Sequence, residues 1–213
     1  MQKLALIIVF LTTAFTAQAQ DIRIVVDRSG EDVELYFNFS ATKMSELFGR
    51  IPETVLDDAG YVDFRNLQFD TVTPGDDMIA QTTAYSDDGV IFEAMSFMVH
   101  PSDTDLAFDT PWDAILTTTF CSVDPNAPPQ VLDIMETYAS YFADGVAPNE
   151  PLVIDLPWTG TTPLTVEVRE FENKDFQRVY TQTLAADGKI TMFADDGGPA
   201  GWISTALNWL RNN

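Results

Sequence analysis

The side chains best suited to chemistry in this sequence are its one histidine and its one cysteine. His100 closes the stretch EAMSFMVH at 93–100, which also holds Met95 and Met98, and Cys121 follows further along the chain. Thioether, imidazole and thiolate groups are the ligands that soft copper ions prefer. In an extended strand Met98 and His100 share one face, whereas Met95 points to the other. The segment therefore offers two ligands to one ion, and a blue-copper centre normally needs a second histidine.

A run of aspartates follows this segment. Carboxylates on a loop are the hard oxygen ligands that Ca²⁺ prefers. The stretch DTDLAFD begins like an EF-hand loop, but Phe108 occupies the position where that loop requires glycine. The competing interpretation, which we prefer, is solvated turns of a very acidic protein without a cofactor. The candidate metal ligands, with calcium or copper as the ion, are Met98, His100, Asp103, Asp105 and Asp109.

The sequence assigns no catalytic residue. Cys121 and His100 form the one Cys–His combination, and no G-x-S-x-G motif, phosphate loop, dinucleotide fingerprint or zinc motif is present. Carboxylate pairs suited to glycoside cleavage are expected by chance in a chain with 33 acidic residues. Trp112 and Trp158 are the aromatic residues considered for a sugar-binding cleft. An exported hydrolase that uses carboxylate chemistry is therefore kept as an alternative.

The charge of the chain narrows the classes of partner. Its 213 residues include 33 acidic side chains and 11 lysines and arginines, for a net charge of −22. Such a surface repels nucleic acid and anionic lipid, so we expect neither as a partner. Adaptation to saline surroundings and a cation-binding surface both explain the charge. The acids are spread along the chain rather than clustered in one motif, which favours the first explanation.

The N-terminal residues MQKLALIIVFLTTAFTAQAQ have the pattern of a secretory signal peptide. Lys3 gives a positive start, 4–15 are apolar, and 17–19 read Ala-Gln-Ala, a typical cleavage site. The apolar run is shorter than the roughly 20 residues that span a bilayer. We therefore expect cleavage before Gln20, no membrane span in the mature chain, and a periplasmic or secreted bacterial protein. A single cysteine forms no internal disulfide, so packing must provide the stability.

Hydrophobic periodicity predicts a β-rich α+β fold, with an antiparallel sheet or sandwich and a few short helices. Strands are predicted at 22–27, 33–39, 61–69, 78–85, 90–99, 114–121, 152–157, 164–171, 176–184 and 189–193. Helices are predicted at 40–49, 52–60, 128–145 and from Pro199 onward, the last being a C-terminal amphipathic helix. The stretch TYASYF within 128–145 also fits a strand. The turn ADGK predicts a hairpin between the last two strands.

A proline-rich break at 122–130 suggests how the chain is organised. After the signal peptide at 1–19, it separates a β-rich part with short helices at 20–125 from 126–213. The second part combines a helix, a small antiparallel β unit and the C-terminal helix, and both parts are also compatible with one compact domain. A core without a catalytic constellation predicts a non-enzymatic binding or accessory module of the cell envelope. Its partner would be a protein or small molecule, and a periplasmic calcium or copper protein is a further alternative.

Overall fold

The structure is a computed structural model, and it describes residues 20–48, 55–79, 83–86, 92–120, 124, 128–144, 146–147, 150–156, 158, 163–184 and 188–194. The strands are β1 (Ile22–Ser29), β2 (Asp32–Ser40), β3 (Thr83–Ser86), β4 (Glu93–Pro101), β5 (Met135–Ala143), β6 (Leu152–Asp155), β7 (Leu164–Glu172), β8 (Asp175–Leu184) and β9 (Lys189–Met192). The helices are α1 (Ala41–Phe48), α2 (Phe64–Phe69), α3 (Thr73–Ile79) and α4 (Pro111–Thr119), and a 3₁₀ turn spans Leu132–Ile134.

Six strands form one large sheet in the order β4-β5-β2-β1-β7-β8. The β1–β7 pair is parallel, with Ile24 opposite Val168, and the other pairs in this sheet are antiparallel. The expectation of a β-rich fold with a few short helices is confirmed, but the sheet is mixed rather than purely antiparallel. Strands from both sides of the break at 122–130 share it, since β5 lies between β4 and β2.

The two faces of the large sheet are covered by different elements. On one side, the core face, Ile22, Ile24 and Val26 of β1 belong to the main hydrophobic core. That core also includes Ile154 and Ile190 of the small sheet β3-β6-β9. The opposite side, the α4 face, is crossed by α4, which contacts β1, β2, β4 and β5. Apolar side chains on both faces of β1 and β2 agree with strands that are covered from two sides.

Segment 128–145 corrects the prediction of a helix. Its residues 135–143 form β5, which pairs with β2 and β4 along its whole length. Val131 and Ile134, which belong to the predicted apolar helical stripe, are exposed. The same residues also alternate with a period of two, and pairing on both edges favours the strand over the helix.

The prediction of a strand at 114–121 is wrong, because residues Pro111–Thr119 form the helix α4. A capping box starts this helix: the Thr110 hydroxyl accepts from the Asp113 amide at 3.2 Å, and the Asp113 carboxylate accepts from the Thr110 amide at 3.1 Å. Pro111 occupies the first turn, where it is well tolerated. The β-branched residues of the segment suggested a strand, but the cap and the proline precede them and determine the helix.

Other boundaries also differ from the predictions. The predicted strand at 61–69 contains α2, which Asp63 caps by accepting from the Asn66 amide at 2.9 Å. The predicted strand at 78–85 includes the end of α3 and β3. Of the predicted helix 52–60, the described part begins with Val55 in 3₁₀ conformation, and 56–60 form an isolated bridge to Val62 and a turn. The hairpin β1–β2, helix α1, β4 and the strands from β6 to β9 are confirmed with small shifts of their ends.

The turn ADGK does not connect a hairpin. Strand β8 pairs with β7 in the large sheet, whereas β9 pairs with β6 in the small one. Gly188 has φ +68°, and a Cβ there would lie 2.1 Å from the Leu156 carbonyl oxygen, so only glycine fits. The predicted signal peptide at 1–19, Cys121 and the predicted C-terminal helix lie outside the described residues. Within the part of the chain that is described, no helix has the length and apolarity needed to cross a bilayer.

Candidate functional site

The predicted ligands Met98 and His100 lie at the buried end of β4. Both side chains are about 1% exposed, and they lie opposite Tyr138 and Glu136 of β5. The Nε2 atom of His100 is 2.8 Å from the carbonyl oxygen of Thr117 in α4. Because a carbonyl oxygen only accepts, Nε2 carries the proton and donates it. The ring also meets Tyr138 edge-on, with centroids 5.2 Å apart, so His100 links β4, β5 and α4.

The predicted calcium ligands lie on the surface. Asp103, Asp105 and Asp109 are all exposed in the loop between β4 and α4. Asp109 forms an ion pair with Arg169 of β7, with 3.1 Å between Oδ1 and Nη2. Among the residues that the structure describes, no three His, Cys, Asp or Glu side chains are placed to hold a metal ion. The calcium and copper hypotheses therefore gain no geometric support from these residues.

Three other residues considered from the sequence are separated in space. Met95 is exposed at the bulge of β4, where the pairing with β5 shifts its register between Ala94 and Ser96. Trp158 is buried in the main core with 7% of its surface accessible, so it does not line an open cleft. Trp112 lies on the outer surface of α4 and is 64% exposed. No aromatic pair of the kind expected for a sugar cleft is formed by these two tryptophans.

Helix α4 exposes large apolar side chains to water, whereas Ile115 is partly buried against the hydrophobic cluster of the α4 face. Trp112 and Leu116 are four residues apart, which places them along one side of the helix, and Phe120 is the extended residue that ends the helix. Their exposed fractions are 64% for Trp112, 63% for Leu116 and 68% for Phe120, and we call this set the α4 stripe. The side chains that α4 buries are small: Pro111, Ala114, Thr117 and Thr118. A surface helix normally has the opposite arrangement, with its large apolar residues toward the core.

The inward face of α4 uses threonine hydroxyls that bond back to their own helix. Thr117 donates to the carbonyl oxygen of Asp113 at 3.1 Å, and Thr118 donates to that of Ala114 at 2.8 Å. These bonds satisfy the hydroxyl groups that would otherwise be buried at a cost. Burying a Leu or Phe side chain is worth about 1.5–3 kcal/mol. The α4 stripe leaves that stabilisation unused within the described part of the chain.

The α4 stripe lies in the most acidic part of the sequence. Residues 66–168 contain 17 aspartates and glutamates and no lysine or arginine. Exposed carboxylates of Asp103, Asp105 and Asp109 precede the helix directly. The carboxylates of Asp103 and Asp105 therefore favour basic over acidic partners near the start of α4, while Asp109 is paired with Arg169.

A small cavity lies where β1, β2 and β5 meet the start of α1. Its volume is about 130 Å³, and we call it the Glu136 cavity. Its lining consists of Gln20, Asp21, Asn38, Phe39, Ser40, Lys43 and Glu136. Polar side chains dominate this lining, so a ligand would be held by hydrogen bonds and charge rather than by apolar contact.

A chain of hydrogen bonds orients the polar groups of the Glu136 cavity. Arg23 Nε donates to Asn38 Oδ1 at 2.8 Å, and Asn38 Nδ2 donates to Glu136 Oε2 at 3.0 Å. Burial raises the pKa of Glu136, while the Asn38 hydrogen bond and the charge of Arg23 oppose that rise. Lys43 also lines the cavity, with Nζ 3.9 Å from Asp21 Oδ1. Burial also raises the pKa of the neighbouring Tyr138 to about 12, which keeps it neutral.

We expect His100 to make the protein less stable in mild acid. Burial lowers its pKa, partly opposed by the Thr117 hydrogen bond, whereas the unfolded chain binds the proton near pH 6.5. The unfolded state therefore binds more protons, and the free energy of unfolding falls as pH drops below about 6.5. Glu136 acts in the opposite direction, since its raised pKa favours proton uptake by the folded state. Urea denaturation of His100→Gln between pH 7 and 5.5 should show a shallower loss of stability than the unchanged protein.

The chain contains no other histidine, so this difference reports on His100 alone. The glutamine has an Nε2 donor for Thr117 and removes the titration. It also removes the ring contact with Tyr138, so the slope of stability against pH is compared rather than its absolute value. Equal pH dependence of the two proteins would show that protonation of His100 does not oppose folding.

Sequence reasoning missed both surface features. The α4 stripe was hidden because 114–121 was interpreted as a strand, although Thr110, Pro111 and Asp113 form a helix start that could have revealed it. The Glu136 cavity gives no local signal, since Gln20 and Asp21 precede β1, Asn38 to Lys43 lie in β2 and α1, and Glu136 lies in β5. Pairing of β2 with β1 and β5 brings these three parts of the chain together.

No model of a known protein family matches this chain, and no curated protein matches it significantly. The arrangement of the α4 stripe and the Glu136 cavity is therefore the basis for the function proposed below.

Proposed function

We propose that the protein is a non-enzymatic binding module that holds a protein partner through the α4 stripe. The observation that carries this proposal is the inverted arrangement of α4, with Thr117 and Thr118 inside and Trp112, Leu116 and Phe120 outside. A contiguous apolar surface on a monomer is a typical mark of an interaction site. The stripe gains its missing burial when a partner covers it.

The spacing of the stripe suggests how the partner binds. Apolar anchors on one side of a helix enter a hydrophobic groove in the helix-in-groove mode. Trp112 is the strongest candidate for an energetic hot spot, because tryptophan is enriched among such residues. The acidic surroundings of α4 suggest basic side chains along the rim of that groove. Such charges would accelerate association at low ionic strength.

The proposed location is the cell envelope or the medium. The N-terminal pattern of 1–19 supports export, and the single cysteine is compatible with it. The acidic surface suits a protein that must stay soluble in a saline environment. The hydrolase alternative gains no support from the two tryptophans, because Trp158 is buried in the main core and Trp112 lies on the surface of α4.

Photo-crosslinking in the producing cell tests this proposal directly. A benzophenone amino acid replaces Leu116 in the stripe or, as a control, Gln68 on the exposed surface of α2. We expect a protein adduct of one defined mass from position 116 and none of that mass from position 68. The crosslinked protein is then purified and titrated with the unchanged chain and with Leu116→Asp. Removal of a hot-spot side chain costs at least about 2 kcal/mol of binding free energy, so we expect the Kd of Leu116→Asp to be about 30-fold weaker.

The same substitution should leave folding intact, since surface changes usually alter stability by no more than about 0.5 kcal/mol. Circular dichroism and urea denaturation check this. The proposal is wrong if position 116 gives no adduct, if positions 116 and 68 give the same adducts, or if Leu116→Asp binds the partner as tightly as the unchanged chain. An adduct with the mass of two copies of the chain would show that the stripe binds a second copy of this protein instead of a different protein.

A further inference from the structure

The Glu136 cavity contains a half-buried carboxylate that forms no direct ion pair with a described side chain, although the charge of Arg23 acts on it at longer range. Glu136 accepts a hydrogen bond from Asn38 Nδ2, and no described Lys, Arg or His side chain forms an ion pair with it. The nearest cationic group in its hydrogen-bond chain is Arg23, which bonds to Asn38 instead. A carboxylate removed from water favours a cation or a donor that compensates for its lost hydration.

The surrounding contacts hold this carboxylate in position. Asn38 is 4% exposed, and Arg23 Nε occupies its Oδ1 atom, so its Nδ2 group must point to Glu136. This orientation leaves Glu136 Oε1 and the remaining lone pairs of Oε2 available to a further donor. Asp21 is also fixed, because its Oδ2 atom accepts from the Thr165 amide at 2.8 Å. Two positioned carboxylates therefore border the cavity, with one ammonium group, that of Lys43, beside Asp21.

We propose that the Glu136 cavity binds a primary ammonium group, which donates hydrogen bonds to Glu136. A compact ammonium group suits a cavity of about 130 Å³, which is smaller than the usual 300–1,000 Å³ of a pocket for a larger organic ligand. A divalent metal ion is a poorer match, since Glu136 and Asp21 are two acidic ligands and no described group of three is present. The ammonium group belongs to a small free amine or to a lysine side chain of another protein.

This site is separate from the α4 stripe, and neither depends on the other. The stripe recognises an apolar groove by Trp112, Leu116 and Phe120, whereas the cavity recognises charge and N–H donors. Failure of one proposal leaves the other standing, because Leu116→Asp does not alter the cavity and Glu136→Gln does not alter the stripe.

An NMR titration with n-butylammonium, which has the shape of a lysine side chain, tests the cavity. The observed signal is the side-chain amide of Asn38, which contacts Glu136 directly. We expect saturable shifts and at least a tenfold weaker association constant for Glu136→Gln. The matched control Asp133→Asn removes one negative charge three residues away on an exposed side chain, and it should change the constant less than twofold. Tetramethylammonium, which lacks N–H donors, should bind at least tenfold more weakly than n-butylammonium.

A second measurement needs no substitution. Binding of a cation beside Glu136 should lower the pKa of its carboxyl group, which ¹³C NMR follows directly. Unsaturable shifts, an unchanged Glu136 titration, or equal losses for Glu136→Gln and Asp133→Asn would overturn the proposal. Equal binding of tetramethylammonium would do the same.

Two further ligands distinguish the sources of the ammonium group. Nα-acetyl-lysine amide presents the side-chain ammonium of a protein lysine, whereas ethylammonium represents a small free amine. Tighter binding of the lysine derivative assigns the cavity to a protein lysine, and tighter binding of ethylammonium assigns it to a free amine. Absence of saturable binding by both rejects the site.

Discussion

Replacement of Glu170 by alanine is expected to lower the free energy of unfolding by about 3–5 kcal/mol. The side chain is 2% exposed on the core face, between the large and the small sheet. Its oxygens accept from Arg178 Nε, from the Tyr180 hydroxyl and from the Phe193 amide, each at 2.6 Å. Arg28 lies close enough for the charge of Glu170 to support its protonated form against burial. Alanine would leave the Phe193 amide without this acceptor and would remove the buried negative charge beside Arg178 and Arg28, while the Tyr180 hydroxyl keeps the carbonyl oxygen of Thr191.

Glu170 also holds a strained piece of backbone. Phe193 has φ +55°, a left-handed conformation that non-glycine residues adopt at a cost. The Arg28 guanidinium lies 4.2 Å from the centre of the Phe193 ring, which ties the same residue to β1. Without the Glu170 carboxylate, the Phe193 amide loses its hydrogen-bond acceptor. The connection between β7 and the end of β9 then becomes weaker.

Urea denaturation and thermal melting measure this effect. At about 2–4 °C for each kcal/mol in a chain of this size, the expected fall in Tm is about 6–20 °C. Glu93→Ala, on an exposed side chain of β4, is the matched control and should change stability by less than about 1 kcal/mol. Glu170→Gln should fall between the two, because the amide keeps an oxygen acceptor. A cost below about 1 kcal/mol for Glu170→Ala would show that the network contributes little.

Replacement of Phe108 by alanine is expected to cost about 3–5 kcal/mol. Phe108 is 1% exposed and belongs to the hydrophobic cluster on the α4 face, together with Val25 and Tyr138. Its ring meets Tyr138 edge-on with centroids 5.4 Å apart, and the Arg23 guanidinium lies 5.5 Å from its centre. Its removal leaves a cavity under the loop that leads into α4, which cannot collapse without moving β-strand side chains.

Phe120→Ala provides a control with the same change of side chain. Phe120 is 68% exposed at the end of α4, so its loss should cost less than about 1 kcal/mol of folding stability. Under the proposed function, the same substitution weakens partner binding. Phe108→Ala should therefore act on folding and Phe120→Ala on binding. Similar unfolding free energies for the two variants would contradict the assignment of Phe108 to the core and of Phe120 to the binding surface.

Where local pattern and final environment agree, the sequence was sufficient. The hairpin β1–β2 was predicted because Ile22, Ile24 and Val26 alternate and a glycine-containing turn follows them. The β-rich class and the short helix α1 were predicted from the same kind of evidence. His100 was correctly expected at the end of a strand, and its separation from Met95 followed from the alternation of side chains.

Where one apolar pattern fits two periods, the sequence was not sufficient. Residues 135–143 satisfy a helical stripe and a strand alternation equally, and pairing of β5 with both β2 and β4 selects the strand. Residues 114–119 have strand-like composition, yet the cap formed by Thr110 and Asp113 selects the helix. For α4, the residues at the start of the helix carried the decisive information. For β5, strands that are distant in the sequence carried it.

The sequence by itself determined the acidic surface, the sufficiency of the core and the β-rich class, because these follow from composition and from short-range alternation. Only the tertiary structure decided which apolar side chains of the described residues remain in water and which half-buried carboxylate lines a cavity. The α4 stripe is exposed because β1, β2, β4 and β5 contact the small side chains of α4, and the Glu136 cavity exists because residues far apart in the chain meet across paired strands. Burial depends on long-range contacts, which local sequence patterns do not specify.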